Sequence, residues 1–519
     1  MFQQQNTVSR DMRQDLPVLM PFYDSEAIMV PVPQGPPGPK IHSTMLALPL
    51  RVMLAYAVAF TCASAQETAS EWTRFRGPNG AGSLEDSPAP IEMSAEVGFV
   101  WKRAIPTGKS SPILVGDRVI LTARDGERLL TMALSRRTGE TLWTREIIRT
   151  HVDLRNELNE GATNTPATDG KSVYVFFADF GLAAYSVEGE ELWLRKLGPF
   201  RSPRGISISP LLVDGVLVLM IEQLVDSEVL GIDSSTGETM WSVPRPISMG
   251  GSYATPVAYR SESGETLAVL THPFELVAYK PKTGEQVWSV GGLPHQPKSS
   301  PMVVGDTIIV GVQGDTQRAN LTPWERMLAR SDKDGDGILT GEEISPILPD
   351  YDDDGDFDRT DYDQWFKEKS PASLLMAVRP RGSGDLTDQA VLWRVERGVP
   401  RITTPLPYKG SLYLMRNGGI LSALDLATGE VQKEGRLQDA IDEYFASPVA
   451  TNGRILTLSR SCQLTWIKAA PEWEILSSSE LGDECFATPA LGHDGVFVRT
   501  STTIYRFSDQ VRESDSQQN

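Results

Sequence analysis

Two aspartate-rich stretches carry the residue types and the spacing of calcium-binding loops. The first runs from Asp332 to Glu343 and fits a twelve-residue loop pattern at each ligand position, with glycine at position six for a sharp turn. Carboxylate and carbonyl oxygens are the hard ligands that Ca²⁺ prefers, and a long side chain at position twelve can bind through both oxygens. The predicted ligands are Asp332, Asp334, Asp336, Ile338 (through its backbone carbonyl), Thr340 and Glu343.

The second stretch runs from Asp350 to Asp361 and has glycine at the same position. Its ligands in this register are Asp350, Asp352, Asp354, Asp356, Asp358 and Asp361. Asp361 stands where the EF-hand pattern has glutamate, and its shorter side chain predicts a weaker or more Mg²⁺-like site. Only Ile344 to Pro349 separates the stretches, which leaves no room for four full helices, so the pair resembles a compact dockerin-like pair.

The alternative to a metal site is a merely acidic loop. Residues 319–371 hold 15 acidic and 6 basic side chains, a net charge of −9 out of −19 for the whole chain. Such a cluster repels itself without a cation. We therefore expect bound calcium, and we expect it to be structural, because extracellular modules meet abundant Ca²⁺ and bind it weakly.

The rest of the chain must hold this segment, and its main feature is a repeat. A Ser/Thr-Pro dipeptide opens an apolar segment eight times, and the prolines are spaced 54, 44, 46, 45, 104, 43 and 41 residues apart. The dipeptides are Ser111-Pro112, Thr165-Pro166, Ser209-Pro210, Thr255-Pro256, Ser300-Pro301, Thr404-Pro405, Ser447-Pro448 and Thr488-Pro489.

Each period reads as four short strands. Two apolar runs joined by an Asp-Gly-like turn follow the dipeptide, then comes a Thr-Gly-Glu turn and a tryptophan, as in Thr236 to Trp241. One four-stranded sheet cannot bury both faces, whereas stacking sheets radially buries them. The sequence predicts an all-β, eight-bladed β-propeller, in which the strand around Phe99–Ala104 completes the eighth blade and closes the ring. The alternative is a string of unrelated β-sandwiches.

The one long interval predicts an insertion in the fifth blade, between the strands Thr307–Val312 and Ser373–Val378. The expected domains are a leader at 1–65, the first part of the propeller at 66–318, the helical EF-hand insertion at 319–371, the second part of the propeller at 372–508 and a disordered tail at 509–519.

The leader reads as a signal peptide. Met45 is the expected true start, an apolar run from Val52 to Thr61 follows, and Ala63 to Ala65 forms a small-residue cleavage site. A run of ten apolar residues is too short to span a bilayer, which takes about 20. We expect an exported protein, periplasmic or extracellular, with no transmembrane segment in the mature chain.

The mature chain would keep two cysteines, Cys462 and Cys485. In an oxidising compartment they form one disulfide or remain two buried thiols, and the sequence leaves both alternatives open. A net charge of −19 argues against a nucleic acid as the partner, because binding to phosphates requires basic side chains.

The repeat resembles the pyrroloquinoline-quinone (PQQ) repeat of exported bacterial eight-bladed propellers. That family contains quinoprotein alcohol dehydrogenases and the non-enzymatic propeller subunit of the outer-membrane assembly machinery. The resemblance to the latter implies a non-catalytic scaffold that binds a protein or an envelope component. The alternative is a PQQ-dependent dehydrogenase, but those enzymes carry a vicinal Cys-Cys disulfide over the cofactor, whereas Cys462 and Cys485 lie 23 residues apart. We therefore expect Ca²⁺ but no PQQ, and no catalytic residue is assigned.

Overall fold

A computed structural model describes residues 71–152, 159, 161–202, 204–223, 226–245, 251–314, 324–343, 354–362, 373–438 and 440–509. Eight sheets formed by these residues are arranged as an eight-bladed propeller, which confirms the all-β, eight-bladed part of the predicted fold class. The expected leader and the tail from residue 510 onward lie outside the described residues. No helix in the described part of the chain is both long and apolar enough to cross a bilayer.

The first four blades follow one another along the chain after strand β1 (Phe99–Ala104). Blade 1 holds β2 (Ile113–Val115), β3 (Arg118–Asp125), β4 (Arg128–Ser135) and β5 (Thr141–Ile148); blade 2 holds β6 (Ala167–Thr168), β7 (Ser172–Phe177), β8 (Gly181–Ser186) and β9 (Glu191–Lys196); blade 3 holds β10 (Leu211–Val213), β11 (Val216–Ile221), β12 (Ser227–Asp233) and β13 (Thr239–Arg245); blade 4 holds β14 (Val257–Arg260), β15 (Thr266–His272), β16 (Glu275–Tyr279) and β17 (Gln286–Gly291).

The last four blades contain the interrupted one. Blade 5 holds β18 (Met302–Val304), β19 (Thr307–Gln313), β22 (Ser373–Val378) and β24 (Val391–Val395), and β23 (Gly384–Asp385) precedes β24. Between β19 and β22 lie helix α1 (Trp324–Ser331), β20 (Leu339–Thr340), a 3₁₀ turn (Gly341–Glu343) and β21 (Asp356–Phe357). Blade 6 holds β25 (Leu406–Tyr408), β26 (Ser411–Arg416), β27 (Ile420–Asp425) and β28 (Val431–Arg436); blade 7 holds β29 (Val449–Thr451), β30 (Arg454–Leu458), β31 (Gln463–Lys468) and β32 (Glu474–Glu480); blade 8 holds β33 (Ala490–Gly492), β34 (Gly495–Arg499) and β35 (Thr503–Phe507).

Blade 8 takes its fourth strand from the other end of the chain. Strand β1 pairs antiparallel with β35, and Trp101 lies opposite Arg506 while Ala104 lies opposite Thr503. The predicted closing strand is therefore confirmed. It covers a sheet edge that would otherwise expose unpaired backbone groups.

The Thr-Gly-Glu turn and the tryptophan of the repeat fit together across neighbouring blades. The Trp101 ring lies against Gly139 of blade 1, where a Cβ atom would stand 2.5 Å from Trp101 Cε3, and the φ of Gly139 is +72°. Glycine is required there for both its space and its conformation. The indole N–H also donates to a carbonyl of the next blade in five cases, namely Trp101, Trp143, Trp193, Trp241 and Trp393.

Blade 4 has a fifth strand that the sequence did not suggest. Strand β23 comes from the blade 5 segment and pairs parallel with β17, with Trp288 opposite Gly384. Thr387 supports this contact, because its hydroxyl accepts the Gly291 N–H at 2.8 Å. The outer edge of blade 4 is thus covered by the chain itself.

Candidate functional site

The first aspartate loop gathers three of its predicted ligands. Carboxylate oxygens of Asp332, Asp334 and Glu343 all lie within 4.8 Å of one another. Two oxygens on opposite sides of one calcium ion are separated by about that distance, since Ca–O bonds are about 2.4 Å long. Gly337 at position six has a φ of +88°, which gives the loop its turn.

The second loop gathers Asp354, Asp356 and Asp361 by the same criterion. Asp361 is fully buried, and its carboxylate accepts the Asp358 N–H at 3.2 Å. The first loop has the equivalent bond, in which Thr340 N–H donates to Glu343 at 3.2 Å. In both loops position nine therefore donates to position twelve, as two copies of one loop should.

Other predicted ligands lie outside these two groups of three. Asp336 accepts the Ile338 N–H at 3.0 Å, and Asp358 accepts the Asp361 N–H at 3.1 Å. Thr340 lies in the short strand β20. Asp350 and Asp352 fall in the range 344–353, outside the described residues.

The two loops are joined by a small ribbon. Strands β20 and β21 pair antiparallel, with Leu339 opposite Phe357, so position eight of each loop faces its counterpart. Helix α1 enters the first loop, and residues 359–362 are helical after the second. A buried cluster supports the ribbon and contains Trp324, Met327, Leu339, Phe357 and Tyr362.

This insertion cluster packs on the propeller through Phe274. The residue lies in the turn between β15 and β16 of blade 4, and its φ of +70° is unusual for a bulky side chain. Its ring packs against the insertion cluster and lies 6.0 Å from the His295 ring. Such strain persists only where surrounding contacts stabilise it, and the insertion provides those contacts.

The carboxylates of the first loop repel one another. A hydrogen bond from the Asp336 N–H lowers the pKa of Asp334, but burial and the charges of Asp336, Glu343 and Asp332 outweigh it, so this pKa lies above its usual value. The pKa of Glu343 is lowered, first by the Lys333 N–H, which donates at 2.6 Å, and then by the Thr340 N–H. A cation between these groups would relieve the repulsion around Asp334.

Cys462 and Cys485 form a disulfide, with their Cα atoms 4.8 Å apart. The bond links the turn between β30 and β31 to the segment that enters blade 8, and both cysteines are fully buried. It therefore joins two neighbouring blades within the core.

A closed belt of hydroxyl groups surrounds the propeller axis, and sequence reasoning missed it. In every blade the serine or threonine before the proline accepts the backbone N–H of its counterpart in the preceding blade. The eight bonds run from Ser111 N to Thr165 Oγ1, Thr165 N to Ser209 Oγ, Ser209 N to Thr255 Oγ1, Thr255 N to Ser300 Oγ, Ser300 N to Thr404 Oγ1, Thr404 N to Ser447 Oγ, Ser447 N to Thr488 Oγ1 and Thr488 N to Ser111 Oγ, at 2.9–3.3 Å. The signal was present as the invariable Ser or Thr before each proline.

The segment before β1 crosses one end of this axis. The Trp72 carbonyl accepts the Leu114 N–H of blade 1 at 2.8 Å, and the Thr73 carbonyl accepts the Thr168 N–H of blade 2 at 3.0 Å. Across the ring, the fully buried Arg76 donates to the carbonyls of Thr404 and Pro405 in blade 6. We call residues 71–87 the axial segment.

The axial segment leaves a small cavity on the axis. The cavity volume is about 160 Å³, and Phe75 lines it together with the belt hydroxyls. Because Phe75 belongs to the axial segment, this segment closes one end of the cavity.

A buried polar cluster joins blades 3 and 4 away from the cavity. His272 Nδ1 lies 2.8 Å from Glu222 Oε1, and its Nε2 lies 3.3 Å from the Tyr279 hydroxyl. Burial, with a smaller contribution from the charge of Arg245, lowers the pKa of His272. Burial also raises the pKa of Tyr279 to about 12. None of these residues lines the axial cavity, so the cluster serves to join the two blades.

Known proteins share this fold. The model of the family described as outer membrane protein assembly factor BamB matches residues 92–205 and 132–343, together a little under half of the chain. No curated protein matches the chain. The solved structure of BamB from Moraxella catarrhalis is 12% identical, covers 80% of this chain and 98% of its own, and has a TM-score of 0.51.

Two further structures are similar. The computationally designed Ika8 protein is 10% identical, with coverage of 78% of this chain and 98% of its own and a TM-score of 0.49. The quinohemoprotein alcohol dehydrogenase from Comamonas testosteroni is 13% identical, with coverage of 88% and 83% and a TM-score of 0.42. At 12% identity the likeness to the Moraxella protein establishes the fold alone. The chain is an eight-bladed β-propeller, and its residues 92–343 match the BamB family model.

Proposed function

We propose that this chain is a non-catalytic, exported scaffold whose propeller binds a protein or another component of the cell envelope. The supporting observation is a repeated apolar residue on the outermost strands. The residue directly before the tryptophan position points outward in five blades and is 46–57% exposed, namely Leu142, Leu192, Met240, Leu392 and Val431. Large apolar side chains repeated along an exposed strand edge are suited to contact with a partner protein.

The small volume of the axial cavity argues against PQQ as a cofactor. Pockets that hold small molecules usually measure about 300–1,000 Å³. The axial cavity, at about 160 Å³, is smaller than that range. The Cys462–Cys485 disulfide joins residues 23 apart and lies in the core, unlike the vicinal disulfide that the resemblance to quinoprotein dehydrogenases implies. These two observations support the scaffold over the dehydrogenase.

Site-specific photo-crosslinking tests the scaffold function in cells. A photoreactive residue at Leu192 should yield a discrete adduct with an envelope protein, because this side chain is 48% exposed on an edge strand. The matched control is Lys171, which is exposed in the turn between β6 and β7. Dye-linked alcohol oxidation after addition of PQQ and Ca²⁺, or equal labelling at both positions, would contradict the proposal.

We further propose that the insertion binds Ca²⁺ at two loops. The convergent carboxylates, the paired position-eight residues and the raised pKa of Asp334 support this proposal. The ion would hold the insertion in place on blade 4 and carry no signal, because calcium sites outside the cytosol bind weakly and remain filled.

Calorimetric titration of the full chain with Ca²⁺ should separate the two loops. Glu343→Gln should lose one of two bound ions, since a carboxylate that can bind through both oxygens becomes a neutral amide. Asp361→Glu should instead tighten the second site for Ca²⁺ over Mg²⁺ by restoring the longer reach. Glu265→Gln, an exposed propeller residue, is the control. Unchanged stoichiometry in Glu343→Gln would show that the first loop is not a calcium site.

Replacing residues 319–371 with a short Gly-Ser loop should leave the propeller folded. The flanking strands β19 and β22 are paired neighbours, with Gln313 opposite Ser373, so a short turn can join them. Far-ultraviolet circular dichroism should retain its β signal, while the Phe274 turn should become more sensitive to protease. Insoluble protein would show that the insertion is part of the propeller core.

A further inference from the structure

Strand β23 shows how an outer strand of this propeller binds a fifth strand. It pairs parallel with β17, and the Ser289 carbonyl of β17 accepts the Leu386 N–H at 2.9 Å. Further along the same edge, the Gly291 N–H donates to the Thr387 hydroxyl at 2.8 Å. The outward-facing backbone groups of β17 therefore include the carbonyl one residue after Trp288 and the N–H three residues after it.

Apolar side chains also contribute to this contact. Leu386 is 3% exposed and belongs to the buried cluster that contains Trp288 and Val290. Val287, directly before the tryptophan, packs against the same cluster. In four blades whose described sheets have no fifth strand, the equivalent residue is 46–48% exposed, namely Leu142, Leu192, Met240 and Leu392. An apolar residue at this position is thus available for burial by an added strand.

The outer strand β9 of blade 2 has the same register as β17. Ala184 lies opposite Trp193, just as an alanine lies opposite the tryptophan in blade 4, and the register shifts at the same step in both sheets. Because an antiparallel ladder alternates regularly, the Leu194 carbonyl and the Lys196 N–H face outward. Within the described residues β9 is the last strand of its sheet, so no described strand pairs with this edge.

The outer face of β9 is also apolar at two positions. Leu192 and Leu194 lie two residues apart and therefore on one face of the strand, and they are 48% and 42% exposed. At the position of Leu194, the outer strands of blades 1, 3 and 5 carry polar residues instead, namely Thr144, Ser242 and Arg394. Among these four strands only β9 offers two adjacent apolar side chains to an added strand.

The next outer strand, β13 of blade 3, is protected against such addition. Pro244 stands three residues after Trp241, as Lys196 stands three residues after Trp193. Proline has no N–H to donate, and it occurs in sheets mainly on edge strands, where that N–H would face solvent. Blade 3 therefore has a proline at this position and blade 4 has its own fifth strand, whereas blade 2 keeps both the N–H and the apolar pair.

We propose that β9 binds an extended segment of a partner protein as a parallel fifth strand of blade 2. One N–H of the segment donates to the Leu194 carbonyl, and an acceptor of the segment binds the Lys196 N–H. The residues opposite Leu192 and Leu194 lie two apart on one face, so the partner segment is a strand with apolar residues at alternate positions. The inference rests on the proposed protein-binding function and specifies the partner chemistry for it.

Three fluorescently labelled peptides test this mode of binding. The first, Ser-Lys-Val-Gly-Val-Leu-Thr-Lys-Ser, keeps the order of Gly384, Leu386 and Thr387 and places valines at alternate positions. The second is the same peptide N-methylated at its leucine, which removes the N–H that donates to Leu194. The third has serine in place of both valines. Fluorescence polarisation should show that the full chain binds the first peptide at least about tenfold more tightly than either of the others.

Variants assign the binding to β9. Lys196→Pro copies the proline of blade 3 and should bind the first peptide at least about tenfold more weakly, whereas Lys196→Ala keeps the N–H and should bind it as the unmodified chain does. Leu194→Ser copies Ser242 and should reduce the preference for the valine peptide over the serine peptide. Melting curves that match the unmodified protein establish that each variant is folded. If Lys196→Pro does not fold, the N-methylated peptide on the unmodified chain decides the question.

Equal affinity for the first and the N-methylated peptide, unchanged binding by a folded Lys196→Pro variant, or no binding of the first peptide would overturn the proposal. Crosslinking at Leu192 in cells separates it from the scaffold function. Strand addition predicts that the adduct is lost in Lys196→Pro and retained in Lys196→Ala. An adduct that persists in Lys196→Pro would leave the scaffold standing and remove only strand addition, whereas no adduct with the unmodified chain would count against both.

Discussion

Deleting the chain through Ala104 is expected to abolish the soluble, folded propeller. The deletion removes β1, which supplies the fourth strand of blade 8, and it leaves β35 with an unpaired edge. It also removes Trp101, whose indole donates to the Arg136 carbonyl and packs on Gly139. The deletion therefore removes part of the contact between blades 8 and 1 together with the outer strand of blade 8. We expect aggregation, or a fall in melting temperature of more than about 10 °C.

Two shorter deletions separate the contribution of β1 to stability from that of the axial segment. Removal through residue 70 is the reference for the series, because it keeps the whole axial segment together with β1. Removal through Gly98 keeps β1 but takes away the axial segment, and its melting temperature should lie between the other two. Size-exclusion chromatography and differential scanning calorimetry measure the series. Equal melting of the shortest and longest deletions would mean that β1 does not close the ring.

The repeated parts of this fold were predictable from sequence because the same short stretch of residues has the same structural role in several blades. The Gly139 turn needs a positive φ and lies against a tryptophan, and the same pairing of a Gly-Glu turn with a tryptophan recurs at five of the contacts between blades. Closure by β1 was predictable for the same reason. Trp101 stands before the first Ser/Thr-Pro dipeptide, and blade 8 has no tryptophan of its own after Phe507.

Parts of the structure that occur once gave no such signal. The axial segment contacts blades 1 and 2 through backbone carbonyls such as that of Thr73, and blade 6 through two hydrogen bonds from Arg76; no periodicity marks these residues. Strand β23 is two residues long and pairs with another blade, so nothing local distinguishes it from a turn.

The candidate calcium loops were predictable from the sequence only in part. Their pattern is local, and position six and position eight lie where the pattern requires them, with Gly337 in a left-handed conformation and Leu339 paired with Phe357. The docking of the insertion on Phe274 was not predictable, because it depends on a turn in the neighbouring blade that lies 50 residues before α1 along the chain.

Arg76→Met is expected to destabilise the protein strongly, because it removes the side chain that joins the axial segment to blade 6. The Arg76 guanidinium is fully buried and donates to three carbonyls, those of Gly80 at 3.2 Å, Thr404 at 2.8 Å and Pro405 at 3.0 Å. Methionine fills similar space but leaves all three acceptors without this donor. Burial lowers the pKa of Arg76 to about 9, so the folded chain already bears a desolvation cost that methionine would relieve.

The lost hydrogen bonds should outweigh that relief, because a buried group left without its charged partner costs about 1–3 kcal/mol or more. We expect a net loss of about 3 kcal/mol in the free energy of unfolding, measured as a lower urea midpoint, together with faster proteolysis between residues 71 and 87. Arg381→Met is the matched control, since Arg381 pairs with Glu262 on the surface and exposed pairs contribute less than about 1 kcal/mol. The same urea midpoint and the same protease resistance in both variants would contradict this prediction. The axial segment would then be held by its backbone contacts and by Trp72, and the Arg76 side chain would not stabilise its contact with blade 6.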